Sequence, residues 1–178
     1  MSTPQDRVTE QPLLVAFVDL TGYRRLAAQY SAPGDLLRLM DGYFEFVGDQ
    51  IDAAGGIFVK CLGDAALIVF SEDLADRGVQ ALVGLKDQGD AWLAGHGLPA
   101  RQQIKIHYGV VASGPVGRRA SKIWDVYGDT VNIAATLPGS GITLSPEAFR
   151  QLQPETRKLF KKHTPPVVYV GQDDRRPA

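Results

Sequence analysis

Two short β-rich runs separated by a tight turn lie between two long helical segments, and this order restricts the fold more than any other feature. The runs are the halves of IFVKCLGDAALIVF, with the turn at residues 62–64. The helical segment before them ends at a glycine pair, Gly55 and Gly56, and the one after them spans about residues 74–96. With LLVAFVDL at the front and QIKIHYGVVASG at the back, the order β-α-β-β-α-β predicts an α+β, ferredoxin-like core.

The rest of the chain predicts additions to that core. TVNIAATL and PEAFRQL read as helices, GITLS and VVYVG as short strands, and the basic, glycine-rich GPVGRRASKI as a flexible arm or a hairpin. The polar ends predict a flexible N-terminus over residues 1–12 and a flexible tail over residues 172–178. Residues 13–171 would then form one domain.

Composition excludes several classes of protein. The 178 residues suffice for one domain, and a formal net charge of -1 argues against nucleic-acid binding. Neither a signal peptide nor an apolar run of membrane-spanning length is read from the sequence, so no membrane association is expected. A single cysteine, Cys61, excludes an internal disulfide. We therefore expect a soluble, cytoplasmic protein.

Two carboxylates follow strand predictions at places that the fold would bring together. Asp19 ends the first strand, and Asp64 lies in the turn of the β-hairpin beside it. Two acidic groups held close together repel, and divalent cations relieve that repulsion. Oxygen-only ligation favours Mg²⁺ or Mn²⁺, and a two-metal site of this kind activates an attacking oxygen and neutralises a triphosphate. The simpler alternative is that Asp19 caps the next helix and Asp64 is an ordinary hairpin residue.

Three motifs occur in series: FVDLTGYRRL, GGIFVKCLGD and GPVGRRASKIWDVYGDTVNIAA. Together they resemble the catalytic domain of the class III nucleotidyl cyclases, the adenylate and guanylate cyclase family, over roughly residues 13–169. The resemblance implies a homodimer with active sites at the interface, in which one subunit binds two metal ions through Asp19 and Asp64. It also implies that the segment 114–117 belongs to a dimerisation arm.

The resemblance assigns further roles to residues that match the family's motifs. The partner subunit would read the base and steady the transition state, and backbone amides after the first strand would cradle phosphate oxygens at a helix start. The residues concerned are Lys60 and Asp125 for the base, Asn132 for the transition state, and Leu20, Thr21 and Gly22 for the phosphates.

Thr136 departs from the family pattern, which has an arginine one helical turn after the asparagine. Losing such a charge costs about 10²–10³ in rate. Three interpretations follow. Another cation substitutes, with Arg118, Arg119 and Lys161 as candidates; or the enzyme is slow; or the chain is a pseudo-cyclase that serves as a nucleotide-binding dimer. Because the other motif residues are present, the active enzyme is favoured.

The choice of base stays open at the level of sequence. Lys60 as donor and Asp125 as acceptor match adenine in the family pattern, but uracil also offers one donor and one acceptor, so ATP and UTP rank equally, ahead of GTP and CTP. Phe58, Trp124 and Tyr127 are bulky enough to narrow a base pocket, although a core role is favoured for each. As a short stand-alone domain, the chain resembles the pyrimidine cyclases of bacterial anti-phage systems, whose cyclic UMP or cyclic CMP acts on a separate effector.

Overall fold

The predicted β-α-β-β-α-β core is present, with the first crossover divided into two helices. The computed structural model describes residues 7–172. Strand β1 is central, and the long helices α2 and α3 are the two that the apolar spacing predicts. The core elements in chain order are β1 (Thr9–Thr21), α1 (Tyr23–Ala27), α2 (Pro33–Ala54), β2 (Ile57–Leu62), β3 (Ala65–Ser71), α3 (Ala75–Gly95) and β4 (Arg101–Arg118).

The core strands lie in the order β2-β3-β1-β4, and β1 is antiparallel to both of its neighbours. This is the strand order of the ferredoxin-like arrangement, so the fold predicted from the sequence is confirmed. Strand β1 tolerates burial on both faces because its middle is an uninterrupted apolar run, Leu13–Val18. The arrangement brings the end of β1 next to the β2–β3 turn.

The two faces of the sheet bury different cores. On one face, Leu14, Ala16 and Val18 pack with α2 and α3 in the large core. On the other face, Leu13 and Val15 pack in a smaller core that includes residues of β5 and α4. Successive side chains of a strand alternate between faces, so the carboxylate that follows at position 19 belongs to the smaller-core face.

The remaining elements extend the sheet on the far side of β4, in the order β4-β6-β8-β7, while β5 pairs with the distal half of β4. The sequence did not predict α6 or β7, because both are only four residues long and carry little periodicity. These elements are β5 (Ser121–Tyr127), α4 (Asp129–Thr136), β6 (Ile142–Leu144), α5 (Pro146–Arg150), α6 (Pro154–Arg157), β7 (Phe160–His163) and β8 (Val168–Gly171).

Of the two interpretations of GPVGRRASKI, the structure shows the hairpin. Strand β4 continues to Arg118, and β5 begins three residues later, with Arg118 paired to Ser121. The two strands stay in register from that pair back to Ala112 and Tyr127. The segment is therefore ordered β-structure that projects beyond the part of β4 paired with β1.

The predicted flexible N-terminus was wrong for residues 9–12. Because β4 is 18 residues long, it offers backbone partners as far as Ser113, and β1 pairs with it from Thr9 onward. The hydroxyls of Thr9 and Ser113 also lie 2.9 Å apart. Residues 1–6, like residues 173–178 of the predicted tail, lie outside the described residues, and Gln172 is anchored by its N–H to the Leu159 carbonyl at 3.0 Å.

Within residues 7–172, no helix combines the length and the apolar character that crossing a membrane requires.

Candidate active site

Asp19 and Asp64 come together at one end of the sheet. The antiparallel register of β1 and β3 pairs Val18 with Ala66, so the next residue of β1 lies beside the turn that carries Asp64. Partial burial raises the pKa of the Asp64 carboxyl, and the negative charge of Asp19 nearby raises it further. The two carboxylates therefore converge from separate segments, and the charge of Asp19 destabilises the ionised form of Asp64.

This pair suits a hard divalent cation. The Asp19 carboxylate is oriented locally, since its Oδ1 accepts the Leu20 N–H at 2.9 Å. Among the described residues, no group of three or more histidine, cysteine, aspartate or glutamate side chains could hold a metal ion. Any further ligands would be water or phosphate oxygens, which is the usual situation for Mg²⁺ and unlike a closed zinc site.

Lys60 and Asp125 form an ion pair that joins β2 to β5. The Lys60 Nζ lies 2.5 Å from Asp125 Oδ2, with 26% of the lysine side chain and 4% of the aspartate side chain exposed. The second oxygen, Oδ1, accepts the Val126 N–H at 2.8 Å. One ammonium donor and one carboxylate acceptor are thus held side by side at the surface of the smaller core.

A β-bulge in β2 sets the direction of Lys60. Phe58 pairs with Ile68, but Lys60 already pairs with Leu67, so Val59 is the extra residue. In a regular strand, Lys60 would lie opposite Ala66 and point toward the core beneath the helices. The bulge moves it to the face of Leu67, where Asp125 lies, and bulges commonly redirect side chains in this way.

The three aromatic residues near the ion pair have different environments. Phe58 packs on the helix side of the sheet, with its ring centroid 6.1 Å from that of Phe44. Trp124 packs against the smaller core. Tyr127 is 51% exposed, and the Lys60 Nζ lies 5.7 Å from its ring centroid. The favoured core role thus fits Phe58 and Trp124, whereas Tyr127 lines the surface beside Lys60.

Helix α4 presents Asn132 and Thr136 together, since residues four apart share a helix face. Both side chains are exposed. The Thr136 hydroxyl donates to the Asn132 carbonyl oxygen at 2.8 Å, a bond within the helix's own backbone. Position 136 therefore contributes neither a charge nor a donor that points away from the helix.

The cations predicted to compensate for Thr136 lie away from this helix. Arg118 ends β4 and Arg119 follows in the turn, both exposed at the tip of the hairpin. Lys161 lies on β7, the edge strand farthest from β2, and its Nζ donates to the Gln172 carbonyl oxygen at 2.7 Å. These contacts do not place Arg118, Arg119 or Lys161 next to Asn132 of the same chain.

The sequence interpretation missed Lys105, which lies next to α4. Its Nζ donates to the carbonyl oxygen of Ala135, the residue before Thr136, at 3.1 Å. The neighbouring Gln103 on the same face of β4 donates to the Gly139 carbonyl oxygen in the loop after the helix. The alternation of β4 predicts which face Lys105 occupies, but the sequence does not indicate that α4 lies over it.

The segment after Asp19 forms a tight turn into α1. The Thr21 hydroxyl donates to the Arg101 carbonyl oxygen at 3.0 Å, and Gly22 adopts a positive φ of 84°, which only glycine adopts without strain. The Leu20 N–H, as described, donates to Asp19. The predicted phosphate-binding residues are therefore adjacent to the carboxylate pair, with the Leu20 N–H hydrogen-bonded to Asp19.

Comparison with solved structures identifies the fold as that of nucleotidyl cyclase domains. The adenylyl cyclase CyaB from P. aeruginosa superposes with a TM-score of 0.78 at 19% identity, covering 96% of this chain and 98% of that one. The guanylyl cyclase Cya2 gives a TM-score of 0.76 at 21% identity, covering 93% and 95%.

The chain belongs to the adenylate and guanylate cyclase catalytic domain family, whose model matches residues 6–168. An adenylate cyclase of Anabaena cylindrica is 30% identical over 135 residues, which are 71% of this chain and 27% of that protein. The chain thus spans about a quarter of the length of this curated relative. The family resemblance predicted from the three motifs is confirmed.

Proposed function

We propose that the protein is a metal-dependent nucleotidyl cyclase that converts a nucleoside triphosphate into its 3′,5′-cyclic monophosphate and pyrophosphate. The observation that carries the proposal is the convergence of Asp19 and Asp64 in a domain of the cyclase family, with the Lys60–Asp125 pair on the same face of the sheet. A carboxylate pair without a third acidic, cysteine or histidine ligand among residues 7–172 leaves coordination positions for triphosphate oxygens.

The active unit proposed is a homodimer. Large apolar side chains remain exposed on the β4–β5 hairpin and on α4, at Val110 (60%), Ile123 (57%), Tyr127 (51%) and Ile133 (42%). Such exposed apolar area near a functional site is typical of an interaction surface. A second copy on this surface would bring its Asn132, Lys60 and Asp125 to the Asp19 and Asp64 of the first, as the family resemblance implies.

In this reaction, the ribose 3′-hydroxyl oxygen attacks the α-phosphorus and its proton passes to water. The bond from that phosphorus to the bridging oxygen breaks, and pyrophosphate leaves with the electron pair. Two Mg²⁺ or Mn²⁺ ions at Asp19 and Asp64 would supply Lewis-acid stabilisation of the phosphate charge. Asp19 and Asp64 bind and orient, and the Asn132 amide donates a hydrogen bond to the ribose or an α-phosphate oxygen. Positioning and charge neutralisation dominate chemistry of this kind.

The Lys60–Asp125 pair supports ATP or UTP as the substrate. The ammonium can donate to adenine N1 while the carboxylate accepts from the exocyclic amine, and the same groups can serve uracil O4 and N3–H. Tyr127, exposed beside Lys60, is placed to stack on or limit the size of the base. An assay with each of the four triphosphates in Mn²⁺ identifies the base.

A catalytically impaired pseudo-cyclase is the second candidate, because Thr136 supplies no charge and its hydroxyl bonds to its own helix. The experiment that separates the two measures pyrophosphate release and cyclic product with each triphosphate, for the wild type and for Asp19→Ala. The enzyme proposal expects one dominant product that Asp19→Ala abolishes while the dimer persists. Nucleotide-dependent thermal stabilisation without product from any triphosphate supports the pseudo-cyclase instead.

The cellular role we propose is the synthesis of a second messenger, cyclic UMP or cyclic CMP, read by a separate effector in the cytoplasm during bacterial anti-phage defence. The support is the Lys60–Asp125 pair, whose donor and acceptor can serve uracil O4 and N3–H. Cyclic nucleotides extracted from phage-infected cells that carry the wild type or Asp19→Ala test the role. A product level that does not respond to infection contradicts it.

A further inference from the structure

The end of α4 lies over two polar side chains of β4. Gln103 and Lys105 alternate with the buried Gln102, Ile104 and Ile106, so both face the smaller core rather than the helices. The Lys105 ammonium donates to the Ala135 carbonyl oxygen near the C-terminal end of α4. The Gln103 side-chain amide donates to the Gly139 carbonyl oxygen just after the helix. The register of β4 thereby places an ammonium group within one residue of Thr136.

The proposed reaction needs a cation near the α-phosphate, because negative charge is displaced onto the phosphate oxygens and the leaving group. Asn132 marks the part of α4 that would face the nucleotide. The Thr136 hydroxyl, one turn later, bonds to the Asn132 carbonyl oxygen and carries no charge. The position therefore needs a charge from another segment.

Lys105 meets three requirements for that role. Its Nζ uses one of three N–H donors on Ala135, so two remain for a phosphate oxygen. Its partner is a neutral carbonyl, and no carboxylate within ion-pairing distance neutralises it among residues 7–172. Its flexible four-carbon stem allows the ammonium to move from the helix end toward a ligand beside Asn132.

We infer that Lys105 is a catalytic residue that contacts the α-phosphate and supplies the charge that position 136 lacks. The inference rests on the proposed cyclase function. Lys105 acts with Asn132 of its own chain, on a nucleotide whose metal ions are held by the other subunit of the dimer. The positive charge thus comes from strand β4 beneath the helix instead of from the helix itself.

A purely structural role for Lys105 makes different predictions. Lysines often hydrogen-bond to the last carbonyls of a helix and interact favourably with its negative end, which stabilises the fold without contacting a substrate. Lys158 is a matched control, because it follows the last residue of α6 and is exposed, with a local ion pair to Glu155. Removing its charge tests the effect of losing a helix-terminal lysine far from α4.

The experiment measures kcat, KM and Tm for the wild-type dimer, Lys105→Met, Lys105→Arg and Lys158→Met, with the triphosphate that the wild type prefers. Methionine keeps the length of the stem and removes the charge. We expect Lys105→Met to lower kcat by about 10²-fold, with a Tm within about 2 °C of wild type. Lys105→Arg and Lys158→Met should retain most of the wild-type kcat. In a double variant, adding Thr136→Arg to Lys105→Met should restore turnover.

The outcomes separate the two proposals. If the wild type is active and Lys105→Met keeps a kcat within about threefold of it, the role of Lys105 is overturned but the cyclase function is not. A decrease of about threefold in kcat is well below that expected when a transition-state contact is lost. Equal losses in Lys105→Met and Lys105→Arg, with lowered Tm in both, also overturn it, because charge is then not the property that matters. A wild type without product from any triphosphate overturns both the cyclase function and the role of Lys105.

Discussion

The ammonium of Lys60 and the carboxylate of Asp125 lie 2.5 Å apart, although β2 and β5 are not neighbours in the sheet. The hairpin of β4 and β5 must therefore curve over the face that carries Asp19. The free chain keeps the two groups that we propose to read the base paired with each other. A base that binds between them must replace that pairing with a donor and an acceptor of its own.

Removing one member of this pair should destabilise the fold more than removing both charges. Asp125 is 4% exposed, so Lys60→Met leaves a nearly buried carboxylate without its cation, which we expect to cost about 2–3 kcal/mol. The double variant Lys60→Met with Asp125→Asn should recover about 1 kcal/mol or more of that loss. Urea unfolding of the two single variants and the double variant measures the coupling, and strictly additive losses would contradict it.

Neutralising Asp64 should stabilise the metal-free protein. Its pKa is raised by partial burial and by Asp19, so the ionised form at neutral pH costs stability in the folded state. Asp64→Asn should raise Tm by about 1–3 °C in chelator, and this advantage should shrink as the pH falls through the raised pKa and the wild-type carboxyl becomes neutral. Differential scanning fluorimetry with EDTA at several pH values measures it.

The same variant should lose the response to metal. In Mn²⁺, the wild type should gain thermal stability, while Asp64→Asn should gain little, because one of the two proposed ligands is then neutral. Asp87→Asn is the matched control, since Asp87 is an exposed aspartate on α3. An equal Mn²⁺ response from wild type and Asp64→Asn would argue against a metal site at the carboxylate pair.

His107 should make stability fall in mild acid. The residue is 5% exposed, and its Nδ1 lies 2.7 Å from the Ser145 hydroxyl. Burial lowers its pKa below the ordinary 6.5, with a smaller opposing effect from Glu147. The unfolded chain therefore takes up a proton first. The free energy of unfolding should decrease as the pH falls below about 6.5, by at most about 1.4 kcal/mol per pH unit.

His107→Gln should remove that component while leaving the acid response of the carboxylates. Denaturant unfolding between pH 5.0 and 7.5 (conditions chosen around the histidine's unperturbed pKa of about 6.5) compares the two slopes. The same slope in both proteins would assign the acid sensitivity to other groups.

Two glycines of α3 should respond in opposite directions to alanine. A Cβ at Gly89 would lie 2.2 Å from the amide carbon of the buried Gln102, whereas one at Gly84 would meet its nearest neighbour, a flexible Gln88 side chain, at 3.6 Å. We expect Gly89→Ala to cost about 1–3 kcal/mol by overpacking and Gly84→Ala to gain about 0.5–1 kcal/mol from helix propensity. Thermal unfolding measures both, and a stable Gly89→Ala would mean that Gln102 can move aside.

The order of the segments predicts the core of the fold. A β-hairpin between two long helices, with one strand before and one after them, can pack into a single sheet in only a few ways. The proximity of Asp19 and Asp64 is also predictable, because the end of one antiparallel strand lies beside the start of its neighbour. The direction of the Lys60 side chain is not predictable from the sequence, because it depends on a β-bulge at Val59 that strand alternation does not reveal. Thr9 was assigned to a flexible end because its pairing depends on the length of β4, a property of another segment.

Lys105 shows the limit of reasoning from motifs. The position that departs from the family, Thr136, is local to α4 and is visible in the sequence, so compensating charges were sought in other basic segments. The ammonium that lies beside the helix comes instead from a strand residue 30 positions before Ala135, to which it donates a hydrogen bond. Packing of α4 on β4 creates that proximity, and neither segment alone carries a signal for it.

Strand β4 pairs with β1 as far as Ser113 and, from Ala112 onward, carries the hairpin with β5. Lys105 lies on the first part and the partner of Asp125, Gly114, on the second. A single inserted residue between them would turn every later side chain to the opposite face of the strand. Homologous domains can therefore vary the length of this stretch only in steps of two residues, or with a compensating bulge, if Lys105 and the proposed base-reading pair are to keep their relative orientation.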